Sequence, residues 1–226
     1  MDFLDDLIEE PFEKLGVDFR ANLRVGQICW APVLYSYENS EIWRPSSLDA
    51  SGTAATHFSV TPEPGNAYKE PKLLASPHLE AYEEFPVLRA KIRPVVLLVP
   101  CPKKINIQDT RGGGKINRHL CIVSPCYSVT DAMGKCRFPD EFLKKVRLLE
   151  YPHFMFLPKA ACLKNDSLLR LDSIQHVFHN KLEPSQWRIA PDLLNILLGQ
   201  ITYVFTSVYE GDYKVARDML LIESTK

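Results

Sequence analysis

The sequence feature that most constrains the fold is the apolar run within residues 91–100, KIRPVVLLVP. Its β-branched and aliphatic residues lie between Pro94 and Pro100, which is typical of a strand buried on both faces of a sheet. Arg93 comes directly before Pro94, at the entry to the run, where a guanidinium is well placed to bind an anion such as phosphate. A surface arginine paired with a carboxylate fits the same position, so the run alone leaves both interpretations open.

Other segments predict more strands and a few helices around this one. Residues 25–35, 119–129, 153–159 and 166–177 read as strands, and 138–150 as a short helix. A longer apolar helix begins at Pro191, and a last short helix covers 212–222. Strands that are not regularly separated by helices favour a mainly β, α+β fold, with an antiparallel barrel or sheet and helices packed outside it.

The length of 226 residues is sufficient for one domain with a real core. We expect a single domain over 1–226. An acidic N-terminal helical extension covers 1–20, with an amphipathic helix at 2–15. The main body covers 25–208 and contains a long first-loop insertion at 36–86, with a short helix near HLEAYEEF. A C-terminal extension follows at 209–226. Loops as long as this insertion are unusual unless they are functional or mobile.

Composition excludes several classes of protein. No apolar run approaches the length of a membrane helix, and the acidic N-terminus is neither a secretory signal nor a transit peptide. The six cysteines lack the paired short spacings of a zinc site and lie mostly beside apolar residues. We therefore expect buried reduced thiols, a cytoplasmic location, no membrane partner, no metal and no cofactor.

Charge is distributed unevenly although the net charge is only −1. Residues 91–118 are basic and residues 1–20 are acidic. One hypothesis is that the acidic segment covers the basic one, and the plainer alternative is a helix packed on the domain. The basic region includes a glycine-rich turn, RGGGK at 111–115, which suits either a phosphate-binding loop or a flexible hairpin tip. It lacks the spacing of a nucleotide-binding motif.

Five stretches together resemble the PemK/MazF-like toxins, which are small SH3-like barrels that cut RNA in bacterial toxin–antitoxin systems. The stretches are VGQICWAPV, KIRPVVLLVP, CIVSPCYSV, NDSLLRLDSIQHV and LLNILLGQITYVF. The resemblance rests on their order and spacing and covers about half of the chain. It implies an SH3-like, PemK-like antiparallel barrel with a C-terminal helix, enlarged here by the N-terminal helix and the insertion.

The resemblance also implies a site and partners. Arg93 matches the arginine of the family's Arg-Pro strand, and Arg170 and Asp172 match an Arg-x-Asp pair proposed as acid and base. The family's hydroxyl residue falls at Tyr127, with Ser128 next to it. Catalytic candidates are thus Arg93, Arg170, Asp172 and Ser128, and RNA-binding candidates are Tyr127, Lys91, Lys103, Lys104, Arg111 and Lys115. The family's first-loop histidine has no clear counterpart, with His57 and His78 as stand-ins by location. Implied partners are single-stranded RNA, an antitoxin protein and a second copy of the chain.

The implied activity is that of an mRNA interferase-like endoribonuclease, which needs no metal because the RNA 2′-hydroxyl is the nucleophile. Asp172 would be the base, and the two arginines would stabilise the charged phosphorane. Arginine hardly deprotonates, so it is a poor general acid. Two alternatives stay open: Arg170 and Asp172 form only a structural ion pair, or the barrel is catalytically degenerate and binds nucleic acid or protein.

Overall fold

The structure is a computed structural model, which describes residues 3–35, 40–48, 50–51, 55–62, 85–100 and 120–224. The chain divides into two compact units. The first comprises Met1–Val33 and Ile92–Lys226, and the second comprises Leu34–Lys91. The second unit contains the segment 36–86 that the sequence marks as an insertion.

The first unit combines a sheet of eight strands with four helices among the described residues. The strands are β1 (Phe12–Lys14), β2 (Gln27–Leu34), β6 (Ala90–Val99), β7 (Leu120–Ser128), β8 (Phe154–Leu157), β9 (Ser167–Arg170), β10 (Gln175–Phe178) and β11 (Glu183–Ile189). The helices are α1 (Leu4–Leu7), α2 (Asp140–Arg147), α3 (Pro191–Thr206) and α4 (Gly211–Ser224). The expected α+β class is confirmed.

The sheet is open and mostly antiparallel. Its order is β1-β11-β2-β6-β7-β9-β8, and β10 also pairs with β7. Among the described strands, β1 and β8 form the two ends of this order and do not pair with each other. The expected closed barrel is therefore wrong, because the described strand order ends at β1 and β8 instead of closing on itself.

The strand β6 is buried on both faces, as its apolar run predicts. Val96 and Leu98 belong to the large hydrophobic cluster that includes α3 and α4. Val95 and Leu97 belong to a second cluster with residues of β2, β7 and β10. Alternating side chains of one strand thus serve two separate apolar layers.

The N-terminal segment differs from the helix expected over 2–15. Only Leu4–Leu7 is helical, and Phe12 lies in β1 opposite Ile189 of β11. Pro11 interrupts the helical pattern, and the backbone after it makes strand hydrogen bonds instead. The apolar residues of this segment belong to two elements, α1 and β1, although their spacing is that of a single helix.

The strand expected over 166–177 is also wrong as a single element. A 3₁₀ turn at Leu171–Ser173 separates β9 from β10, and both strands pair with β7. The turn places three residues out of the ladder, so that the alternation of faces expected from Leu168 to Ile174 is broken. The strand β11 was not expected from the sequence at all, because EPSQWRI has only weak alternation.

The second unit contains a three-stranded antiparallel sheet in a segment where the sequence predicts a long loop. Its strands are β3 (Glu41–Leu48), β4 (Ala55–Pro62) and β5 (Phe85–Val87), in the order β4-β3-β5. Ile42 is fully buried at the centre of this sheet. The helix expected near HLEAYEEF and the glycine-rich turn at 111–115 lie outside the described residues.

None of the helices in the described part of the chain combines the length and the apolar character needed to cross a membrane.

The contact between α3 and α4 depends on a glycine. A Cβ added to Gly199 would lie 2.8 Å from the Cβ of Tyr213, which is fully buried at the start of α4. This atom is next to the backbone and cannot move without the helix, so even a methyl group is too large at residue 199.

We expect Gly199→Ala to lower the free energy of unfolding by about 1–3 kcal/mol, although alanine favours helices by about 1 kcal/mol over glycine. Urea unfolding followed by circular dichroism measures this. Gly16→Ala is the control, because its added Cβ would meet only the Asp18 side chain, at 3.4 Å. Equal stability of Gly199→Ala and the wild type would show that α4 is not held at this distance.

Candidate nucleic-acid interface

Arg93 and Tyr127 are brought together by the pairing of β6 with β7. Val95 lies opposite Pro125, and continuing this antiparallel register by two residues sets Arg93 opposite Tyr127. The guanidinium carbon of Arg93 lies 4.4 Å from the centroid of the Tyr127 ring. This is a cation–π distance, and the ring is only 7% exposed.

Arg170 approaches the same ring from β9 on the other side of β7. Tyr127 lies opposite Leu168, which makes Arg170 its diagonal neighbour. The guanidinium carbon of Arg170 lies 5.3 Å from the Tyr127 centroid. Three neighbouring strands therefore place two arginines around one tyrosine, and we call Arg93, Tyr127, Arg170 and Asp172 the arginine cluster.

Asp172 joins the cluster through a two-pronged ion pair with Arg170. The Nε of Arg170 donates to Oδ1 of Asp172 at 2.9 Å, and Nη2 donates to Oδ2 at 2.5 Å. The Ser173 hydroxyl is a further donor to Oδ1, at 3.3 Å. The two paired side chains are 22% and 31% exposed, so water and ligands reach them.

The 3₁₀ turn and a buried serine hold this pair in place. The turn that follows β9 carries Asp172 back towards the side chain of Arg170. The hydroxyl of Ser124, which is fully buried, donates to the carbonyl oxygen of Arg170 at 2.9 Å. The backbone at the end of β9 is therefore fixed from within the sheet.

The cluster carries two positive charges and one negative charge, so its formal charge is +1. Guanidinium groups offer five N–H donors in a planar fork, and two of those of Arg170 bond to Asp172. Such an arrangement is suited to a phosphate diester, which takes hydrogen bonds from more than one arginine. The partial exposure of the pair leaves room for this contact.

Ser128 is not part of the cluster. Its hydroxyl donates to the carbonyl oxygen of Thr130 at 2.7 Å and accepts a bond from Asn165 at 3.2 Å. Because side chains alternate along a strand, Ser128 points to the opposite face of β7 from Tyr127. Its described contacts stabilise the loop after β7.

Of the other expected RNA contacts, the structure describes Lys91 alone. Lys91 is exposed and is assigned to the second unit. Four expected basic residues lie outside the described residues: Lys103, Lys104, Arg111 and Lys115. His57 belongs to the second unit, where its Nδ1 lies 2.7 Å from the Ser47 hydroxyl, and His78 is outside the described residues.

The acidic N-terminal segment makes two of its described ion pairs with residues of α2 and β11. Asp5 forms a two-pronged pair with Arg147 of α2, at 2.8 and 2.6 Å, and Glu13 pairs with Arg188 of β11 at 2.5 Å. Phe3 lies against the same Arg147, with the guanidinium carbon 3.9 Å from its ring centroid. These contacts pack the segment on the first unit, whereas residues 101–119, most of the basic segment that the other hypothesis pairs with it, lie outside the described residues.

Most of the described cysteines are buried. Cys29, Cys121 and Cys126 are in the core, whereas Cys136 is exposed. Burial raises the pKa of the Cys29 thiol to about 12, so it is protonated at neutral pH. Within the described ranges, no group of three or more His, Cys, Asp or Glu side chains is arranged to hold a metal ion.

The aromatic surroundings of Arg170 were not expected from the sequence. Its guanidinium carbon lies 5.7 Å from the ring centroid of Phe154, which is opposite it on β8. The alternation in HFMFLP was the available signal, because it places Phe154 and Phe156 on one face and Met155 and Leu157 on the other. The aromatic face is the one that Arg170 shares.

Comparison with known proteins adds no assignment: the sequence matches no protein-family profile and no curated protein.

A double-mutant cycle on Arg170→Ala and Asp172→Ala should give a coupling free energy of about 1 kcal/mol, because the pair is two-pronged and partly buried. The control is the cycle on Arg24 and Asp18, an exposed pair at 3.3 Å whose coupling should be near zero. Chemical unfolding of the single and double variants measures both. Equal couplings would mean that Asp172 is not held by Arg170 in solution.

Proposed function

We propose that this protein is an endoribonuclease of the toxin type, which binds single-stranded RNA at the arginine cluster and cuts it without a metal. The observation that carries the proposal is the approach of Arg93 and Arg170 to one Tyr127 ring, with Asp172 held beside them. The resemblance assigns these residues to one site, and their common location in the sheet supports that assignment. The same resemblance supports a cytoplasmic location, a homodimer and an antitoxin partner.

Phosphate binding would be the task of the two arginines. Arg93 is partly exposed at the start of the buried run of β6, and Arg170 is partly exposed on the neighbouring side of Tyr127. Tyr127 is almost fully buried, so its role is to orient the arginines and not to stack on a base. A phosphate between two oriented guanidinium groups would gain charge-assisted hydrogen bonds without large rearrangement.

The chemical step would be an attack of the 2′-hydroxyl oxygen on the adjacent phosphorus. The carboxylate of Asp172 would take the 2′-hydroxyl proton while the bond from 2′-oxygen to phosphorus forms. The bond from phosphorus to the 5′-oxygen would break, and water would protonate the leaving oxygen. The products would be a 2′,3′-cyclic phosphate and a 5′-hydroxyl, and Arg93 and Arg170 would stabilise the added negative charge of the phosphorane.

A second candidate function is RNA binding without cleavage. The carboxylate of Asp172 accepts two hydrogen bonds from Arg170 and one from Ser173, so three of its about four acceptor sites are occupied before a 2′-hydroxyl arrives. The hydroxyl of Ser128 is bonded to the Thr130 carbonyl and adds no group to the cluster. These two observations favour a site that binds RNA through its two arginines and does not cut it.

Cleavage of a fluorescent single-stranded RNA in the presence of a chelator tests the enzyme proposal. Arg93→Ala and Asp172→Asn should each slow cleavage by about a hundredfold or more, since each removes a group that acts in the transition state. Arg24→Ala and Asp18→Asn are the matched controls, because they alter an exposed ion pair on another part of the first unit. They should cleave like the wild type.

Full activity in both cluster variants would contradict the site assignment. A wild type that cuts no RNA would contradict the enzyme proposal and leave the second candidate.

Measuring RNA affinity at several salt concentrations tests phosphate binding by the arginines separately from RNA cleavage. Arg93→Ala should weaken binding and reduce the slope of log affinity against log salt by about one, as expected for the loss of one phosphate contact. Asp172→Asn should bind at least as well as the wild type, because it removes a negative charge from the cluster. Fluorescence anisotropy with a labelled RNA measures both. An unchanged salt slope in Arg93→Ala would exclude it as a phosphate contact.

A further inference from the structure

Three aromatic rings form a continuous stack beside helix α2. Phe138 and Phe142 have ring centroids 5.6 Å apart with planes inclined by 22°, and Phe142 and Tyr151 are 5.4 Å apart at 27°. We call Phe138, Phe142 and Tyr151 the aromatic stack. Offset, nearly parallel rings at these distances attract each other and keep a fixed relative orientation.

The aromatic stack is connected to the arginine cluster through one more ring. Phe154 meets Phe142 edge to face, with centroids 5.3 Å apart. Phe154 is also the ring over which the Arg170 guanidinium lies, at 5.7 Å. Each side chain therefore contacts the next in one series, which runs through Arg93, Tyr127, Arg170, Phe154, Phe142 and Tyr151.

The inner part of this series belongs to the core, and its outer end does not. Phe138, Phe142 and Phe154 pack against the buried residues Val129, Val146 and Leu168. Tyr151 is 37% exposed, and the ammonium nitrogen of Lys145 lies 5.9 Å from its ring centroid. Core packing accounts for the three phenylalanines, but it gives no reason for an exposed ring beside a cation.

Hydrogen bonds from a buried side chain of α3 fix the backbone of the segment that carries Tyr151. Gln200 of α3 is fully buried, and its side-chain amide donates to the carbonyl oxygens of Pro152 and Phe154, both at 2.9 Å. The backbone N–H of Phe154 closes the turn by donating to the Tyr151 carbonyl at 3.1 Å. An exposed ring on a fixed turn loses little conformational freedom when a flat ligand stacks on it.

We propose that Tyr151, together with Lys145, binds a nucleobase of a single-stranded RNA whose phosphate lies at the arginine cluster. This inference rests on the proposed function and extends it by a second subsite. Proteins that bind single strands combine cations for the backbone with aromatic rings for the bases, and every base has a face that can stack. Tyr151 supplies such a ring, and the ammonium group of Lys145, 5.9 Å from its centroid, supplies a positive charge beside it.

The test compares an RNA of about eight nucleotides with an abasic oligomer of the same length, which keeps the sugar–phosphate backbone and lacks the bases. The variants are Tyr151→Leu, which keeps an apolar contact for Phe142, and Tyr151→Trp, which keeps a stacking face. Phe205→Ala is the control, because Phe205 is an exposed aromatic residue on α3. Thermal unfolding checks that each variant is folded.

We expect Tyr151→Leu to weaken RNA binding about tenfold and to leave binding of the abasic oligomer unchanged. Tyr151→Trp and Phe205→Ala should bind both as the wild type does, and Arg93→Ala should weaken both to a similar extent. If Arg93→Ala weakens RNA binding but Tyr151→Leu does not, the stacking subsite is wrong and the proposed phosphate site survives. If the wild type binds neither oligomer, the proposed function and this inference both fail.

Discussion

The structure of the first unit depends on the burial of β6 on both of its faces. Val95 and Leu97 on one face and Val96 and Leu98 on the other belong to different apolar clusters, so one strand joins the two halves of the core. Aliphatic side chains of this size stabilise by about 1.5–3 kcal/mol each when fully buried. Since the run begins directly after Pro94, Arg93 is held at the point where the chain emerges from the core.

The arginine cluster follows from this constraint through ordinary strand pairing. The register of β6, β7 and β9 sets two arginines around Tyr127, and the turn after β9 returns Asp172 to Arg170. Cation–π contacts with a buried ring contribute about 1–2 kcal/mol, and they leave the N–H donors of a guanidinium in its own plane available for hydrogen bonds. The same geometry thus serves stability and can serve anion binding.

The sequence predicted the elements whose apolar pattern is dictated by burial alone. β6, β7, α2 and α3 were expected close to their observed positions because each has a long or strongly periodic apolar pattern. The helix expected over 2–15 and the single strand expected over 166–177 are not observed in that form, and β11 was not expected. The strands in these segments pair with residues that are distant in the sequence, and a local pattern does not specify such partners. Of the candidate site, Arg93, Arg170 and Asp172 proved to be neighbours, whereas the contacts of Ser128 depend on a loop whose geometry local sequence does not specify.

The open sheet has a consequence for self-association. A sheet with ends presents unpaired backbone groups, and long flat ends recruit strands from other molecules. Here the end strands are β1, with three residues, and β8, with four. Edges this short offer few hydrogen bonds to an incoming chain, so these two ends of the first unit's sheet give little template for edge-to-edge aggregation.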